Sequence, residues 1–226
     1  MNNNPKSLRK IRALIFDAEG VLIDTEPLWD MSQEAFLQHY GKTYERNRVK
    51  SLLTGRSLAE GTAVLAQIYA LPGPLDELIR QRQEIVQSCF QTNVTFIPGA
   101  RAFLARFGRK LPFGIATSMD PDMFLGIAEK LDLLSLFPAI STLHQTQGRG
   151  KPAPALFLDC AARLNVAPVD CLVIEDAPLG IEAARRAGML CAALTTTYEA
   201  TLLEQADVIV HSFDEFGDWL ASHLDF

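Results

Sequence analysis

From residue 113 onward the chain alternates between short apolar runs and segments with helical spacing of apolar residues, and few folds accommodate that alternation. Strands are predicted at 113–116, 139–142, 171–174, 190–194 and 208–210, and helices at 100–107, 123–131, 154–164 and 179–187. An earlier apolar run, Ala13-Leu14-Ile15-Phe16, has the same texture: rich in β-formers and too short for a helix. Strands alternating with helices indicate an α/β fold built on a doubly wound parallel sheet. Between the first run and the rest lies a stretch without strand signals. Its apolar residues recur at helical spacing, as in Trp29, Phe36, Leu37 and Tyr40, and Gly41, Thr54-Gly55 and Leu71-Pro72-Gly73-Pro74 punctuate it. The expected organisation is an α/β core of residues 1–24 and 96–226, interrupted by an inserted α-helical cap domain of residues 25–95. Residues 1–10 read as a frayed polar leader.

Composition narrows the function classes. A chain of 226 residues, 48% hydrophobic and 21% charged, is ordinary for a globular protein with a sizeable core. Its formal net charge of -6 argues against a general nucleic-acid or anionic-membrane binder, since both need a basic surface. The apolar runs are too short for a membrane span, and no signal-peptide core precedes the first strand, so a cytoplasmic protein is expected. Cys89, Cys160, Cys171 and Cys191 form no metal-ligand pair and read as reduced, buried thiols. A monomer is the simplest expectation, with oligomers left open.

Strand ends on one edge of a parallel sheet converge, so the polar residues after each strand belong together. The first loop supplies Asp17 and Glu19 before Gly20, the second Thr117-Ser118, the third Lys151 between Gly150 and Pro152, and the fourth Glu175-Asp176. Singly, each has a bland reading: Glu175-Asp176 as a strand-end turn, Lys151 as an exposed residue at a helix start. Together they are what phosphoryl transfer asks for: a nucleophilic carboxylate, donors and a cation for the equatorial oxygens, and acids to hold Mg²⁺. His39, His144, His211 and His223 read as surface or core residues rather than ligands.

These strings also resemble the motifs of the haloacid dehalogenase-like superfamily, in its phosphatase and phosphomutase branch. Asp17-Ala18-Glu19-Gly20-Val21-Leu22-Ile23-Asp24-Thr25 is similar to its first motif, usually Asp-x-Asp-Gly followed by Asp-[Ser/Thr]. Ile115-Ala116-Thr117-Ser118 resembles the second motif and Gly150-Lys151-Pro152-Ala153-Pro154 the third. Ile174-Glu175-Asp176-Ala177-Pro178-Leu179-Gly180 resembles the fourth. The resemblance implies that Asp17 is a nucleophile forming an aspartyl-phosphate, and that Glu19 occupies the acid/base position and gives its main-chain carbonyl to the metal. It further implies that Thr117 and Ser118 hold the phosphoryl group, that Lys151 pairs with it and with Asp17, and that Asp176 with Glu175 completes a Mg²⁺ site. More loosely, Thr54, Arg56 and Ser57 align with the substrate-reading loop of the cap, and Trp29 is either packing or a pocket wall.

Three positions depart from the family pattern: Glu19 replaces the usual Asp, Met119-Asp120 follow the second motif where small polar and basic or amide residues are usual, and Ala155 stands where an Asp is usual. A longer acid at position 19 keeps its intrinsic acidity but shifts the group by about one methylene, and a displacement of about 1 Å costs on the order of 100-fold in a positioned reaction. An inward Asp120 would repel phosphate. Trp29 stands near the place of the histidine that marks the β-phosphoglucomutase branch, so the resemblance favours a sugar-phosphate phosphatase. The expected function is a Mg²⁺-dependent phosphatase acting on a small phosphorylated metabolite, a sugar or sugar-alcohol phosphate. A phosphomutase and a weakly catalytic phosphometabolite-binding protein are the alternatives.

Overall fold

The computed structural model describes residues 10–53 and 56–223, which form two compact units, 10–24 with 95–223, and 25–53 with 56–94. In the first unit, β1 (Ala13–Phe16), β2 (Phe113–Ala116), β3 (Ala139–Ser141), β4 (Cys171–Glu175), β5 (Leu190–Leu194) and β6 (Val208–Val210) make one parallel sheet. Its order is β3-β2-β1-β4-β5-β6. The chain therefore grows outward from β1 to one side, then returns to pair β4 with the other side of β1. That reversal is the switch point at which open α/β sheets form a crevice.

Alternation along β1 explains why both faces of the sheet are covered. Side chains of successive strand residues point to opposite faces. Ala13 and Ile15 join a cluster with Leu156 and Phe157 of α8 (Ala155–Leu164) and Ile181 and Ala184 of α9 (Pro178–Arg186). Phe16 points the other way, and its ring meets Phe113 at 5.3 Å, Phe137 at 5.8 Å and Phe103 of α5 (Ala100–Phe107) at 6.1 Å between centroids. The same aromatic layer takes in Phe213 and Phe216 of α10 (Phe213–His223), while α6 (Pro121–Lys130) and the short α7 (Leu133–Leu136) lie between β2 and β3 in the chain. Edge-to-face aromatic contacts of this kind add about 0.5–1.5 kcal/mol each beyond area burial.

Two elements depart from expectation. The α10 helix was not anticipated, although Phe213, Phe216 and Leu220 repeat at helical spacing and are all buried. Lys151 is not at a helix start: α8 begins at Ala155, so the lysine belongs to the loop after β3 and is free of helical geometry.

The second unit is helical, with α1 (Glu26–His39), α2 (Arg46–Leu53), α3 (Leu58–Tyr69) and α4 (Leu75–Asn93). Phe36, Leu37, Val49, Leu65, Tyr69 and Leu78 make its core. Among the described residues, no helix is long and apolar enough to cross a membrane.

Candidate active site

The β1–β4 pairing sets the geometry of the site. Phe16 lies opposite Ile174, and the Asp17 amide donates to the Ile174 carbonyl at 2.9 Å. Asp17 therefore leaves β1 beside Glu175, the last residue of β4, with Asp176 immediately after. All three carboxylates are buried, Asp17 at 8%, Glu175 at 1% and Asp176 at 4% exposure, and they offer oxygens within 4.8 Å of one another.

Lys151 enters this acidic cluster from the β3 loop. Its ammonium pairs with Asp17 and lies 2.6 Å from Glu175 Oε1. The ammonium also sits 5.1 Å from the centre of the buried Phe157 ring, a cation–π contact that sequence reading did not anticipate. Burial by itself would strip the lysine of its charge, but Asp17 and Glu175 outweigh it and hold its pKa above the ordinary range.

The carboxylates are affected in the opposite sense. Burial pushes Asp17 up to about 7 against the pull of Lys151, with the negative charges of Glu175 and Glu19 adding to the rise. Burial likewise drives Asp176 well above the usual carboxylate range, reinforced by Glu175 and Asp17. One lysine does not balance three buried acids. The surplus negative charge, the hard oxygen donors and their convergence fit a divalent cation. Glu175 is also held by the backbone: its Oε2 accepts from the Asp176 amide at 3.0 Å and the Ala177 amide at 3.2 Å.

Two glycines permit this crowding. Gly20 has φ +69°, and a Cβ there would overlap Asp176 Oδ2 and come within 2.6 Å of Thr197 Oγ1. A side chain at Gly180 would overlap the Glu175 carboxylate. Any larger residue at either position displaces an acid of the cluster. Thr197, whose hydroxyl is hydrogen-bonded to Asp176, was not singled out from sequence because nothing local marks it.

The remaining candidates divide by unit. In the α/β unit, Thr117 is buried, and its hydroxyl accepts from the Met119 amide at 3.0 Å. Ser118 is exposed, and its Oγ accepts from the Lys151 amide at 3.2 Å, so the β2 and β3 loops touch directly beside the lysine. Glu19 is half-buried, with its backbone bridged to Ile23. Asp120 caps α6, its Oδ1 accepting from the amides of Asp122 and Met123, each at 3.1 Å. That accounts for an acid at this position, since a helix N-terminus favours one.

In the helical unit, Trp29 packs edge-on against Phe90, with centroids 5.0 Å apart. Arg56 is exposed and donates to the Leu52 carbonyl at 2.7 Å. Ser57 caps α3: its hydroxyl accepts from the Glu60 amide at 3.3 Å, and its own amide donates to Glu60 at 2.9 Å. Thr54 lies outside the described residues.

Comparison with known proteins agrees with this geometry. The family model of the haloacid dehalogenase-like hydrolases matches residues 11–188. A Drosophila melanogaster protein described as a "probable pseudouridine-5'-phosphatase" is 37% identical over 190 residues, 81% of either chain. The fructose-1-phosphate phosphatase of Escherichia coli K12 is 32% identical over 176 residues, 78% of this chain and 92% of that one. The crystal structure of a HAD family hydrolase from Deinococcus radiodurans R1, with bound phosphate and sodium, matches at TM-score 0.80 and 26% identity, covering 95% of this chain and 97% of that one. With an acidic cluster at the sheet's switch point and a family match over most of its length, this chain belongs to the haloacid dehalogenase-like hydrolases.

Proposed function

We propose that the protein is a Mg²⁺-dependent phosphatase that hydrolyses a small phosphorylated metabolite, a sugar or sugar-alcohol phosphate, through an aspartyl-phosphate. The observation that carries this reading is the buried pairing of Lys151 with Asp17 and Glu175, with Asp176 beside them, where β1 and β4 end. The substrate class is supported by relatives named as phosphatases of fructose 1-phosphate, of glycerol 3-phosphate and of hexitols.

In this reading a carboxylate oxygen of Asp17 forms a bond to phosphorus while the ester P–O bond breaks, and the departing alkoxide takes its proton from Glu19. Glu19, now ionised, accepts a proton from water as the water oxygen bonds to phosphorus and the Asp17–phosphorus bond breaks. Free phosphate and the Asp17 carboxylate result. Lys151, the Thr117 hydroxyl and the Ser118 amide hold the phosphoryl oxygens, and Lys151 opposes the effect of burial on the Asp17 carboxylate.

The side chains of Asp17 and Asp176 and the Glu19 carbonyl would hold Mg²⁺, with Glu175 fixing Lys151 beside them. Charge building on the phosphoryl oxygens is what the bound ion would neutralise. The helical unit serves as the cap that selects the substrate. Trp29 stands near the place of the histidine that restrains the acid/base in the β-phosphoglucomutase branch, which favours hydrolysis over phosphomutase chemistry.

A screen of phosphorylated sugars, sugar alcohols and nucleosides tests the reading by measuring free phosphate with and without Mg²⁺. At least one ester should be turned over only with the metal, and not by Asp17→Asn. Isomerised sugar phosphate in place of free phosphate would overturn it.

A further inference from the structure

Three consecutive threonines follow β5, and each hydroxyl has a different partner. Thr195 Oγ1 lies 2.9 Å from His211 Nδ1, just past β6. The Thr196 hydroxyl donates to the Gly20 carbonyl, and the Thr197 hydroxyl is hydrogen-bonded to the Asp176 carboxylate. The turn itself is anchored on the neighbouring strand, since the Thr195 amide donates to the Val210 carbonyl at 3.1 Å. In a sheet ordered β1-β4-β5-β6, Thr197 thus reaches one strand across and Thr196 two. The approach is close: the space a Cβ would need at Gly20 is filled by Asp176 Oδ2 and, at 2.6 Å, by Thr197 Oγ1.

We propose that Thr196 and Thr197 are positioning residues for the divalent-cation site, Thr197 by setting the Asp176 carboxylate and Thr196 by holding the Gly20 peptide and with it the loop that carries Asp17. The inference rests on reading the acidic cluster as a cation site. Asp17 and Glu175 repel Asp176, so without a restraint its carboxylate would turn away from them and its oxygens would be misplaced for a metal. A donated hydroxyl hydrogen occupies one lone pair and leaves the others free, while adding no positive charge to compete with the ion. Lys151 has the opposite character, since it holds both Asp17 and Glu175 with a charge; Glu175, whose Oε2 also accepts from the Asp176 and Ala177 amides, is the poorer ligand of the three.

The test uses the full chain without substrate and Mn²⁺ as the probe, with free ion counted by electron paramagnetic resonance. Thr197→Val should weaken Mn²⁺ binding by about ten- to a hundredfold, the usual effect of losing a partner that orients a metal ligand. Thr197→Ser, which keeps the hydroxyl, should restore it. Thr196→Val should weaken binding less, and Thr195→Val should leave it unchanged. Melting curves in chelator separate this from loss of fold, which would lower the melting temperature without following the Val/Ser contrast. Should Thr197→Val misfold, the loss in Thr196→Val against the unchanged Thr195→Val decides. Equal Mn²⁺ affinity in wild type, Thr197→Val and Thr196→Val would overturn the inference and leave the cation site standing. Failure of the wild type to bind Mn²⁺ would overturn both.

Discussion

Lys151 in the α/β unit and Arg82 in the helical unit are both buried cations, but they are satisfied in opposite ways. Arg82, at 2% exposure, donates to Gln33 Oε1 at 3.0 Å and to the Leu58 carbonyl and Thr62 Oγ1, each at 3.1 Å; these acceptors are all neutral. Burial lowers it to about 10, which still leaves it charged at pH 7. Its planar fork can satisfy several acceptors at once, so it ties α1, α3 and α4 together and serves as a strut. Lys151 instead stands among three acids that outnumber it. One unit hides a charge by spreading it over neutral oxygens, and the other concentrates charge that a ligand must complete. A buried charge therefore marks a site when its neighbours leave it unbalanced, and architecture when they disperse it.

The largest expected effect belongs to Asp17→Asn. Removing the proposed nucleophile should reduce phosphate release by on the order of 10⁴-fold or more, while the protein in chelator melts higher because a buried carboxylate has gone. Substantial residual turnover would mean that the acidic cluster is not the reacting centre.

Next, the two cations can be set against each other. Lys151→Ala should lower turnover on the order of 100-fold, as expected for a lost oxyanion-type donor, with a smaller change in stability. Arg82→Ala should cost about 2–4 kcal/mol in a urea unfolding titration, because it opens a cavity and removes the hydrogen bonds that join α4 to α1 and α3. If Arg82→Ala proved harmless to folding, the strut assignment would fail and the comparison with it.

Shortening the proposed acid/base comes third. Glu19→Asp should lower turnover by up to about 100-fold through misplacement alone, with Mn²⁺ affinity unchanged because the proposed metal contact is a main-chain carbonyl. A rise in turnover would favour the weakly catalytic reading of this chain.

The smallest effect is on pH dependence. Asp17 sits at about 7 when folded, against 3.8 ordinarily, and Asp176 is shifted the same way. The folded state therefore binds more protons than the unfolded one between those values, and these groups lose stability for the metal-free protein as pH rises from about 4 through 7. Melting temperatures in chelator from pH 5 to 8 should fall more for wild type than for Asp17→Asn, and added divalent cation should reverse the trend. Parallel curves for the two proteins would show that Asp17 is not held protonated.

How much of this was legible beforehand depends on range along the chain. Runs such as Ala13–Phe16, Phe113–Ala116 and Leu190–Leu194 were readable because a short run without polar residues is a local signal, and the same holds for the motif residues at their ends. The capping roles of Ser57 and Asp120 are local as well, since each side chain accepts from amides two or three residues on, but in a string a capping residue and a site residue are the same polar letter. Arg82 looked like any other arginine of a polar helix. Only the packing of α1, α3 and α4 around it makes its burial visible.

Local pattern alone determined that this chain makes a doubly wound sheet with a helical insertion, and that acids and a lysine follow its strands. Hydrophobic periodicity and turn chemistry act over a few residues, so they can be read from a string. What only the tertiary structure decided is which polar groups share one small volume: Asp17, Lys151, Glu175 and Asp176 crowded together, with the threonines after β5 reaching back to Asp176 and Gly20. Burial and mutual repulsion depend on distances between residues far apart in the chain, and those distances exist only once β4 has returned to lie beside β1.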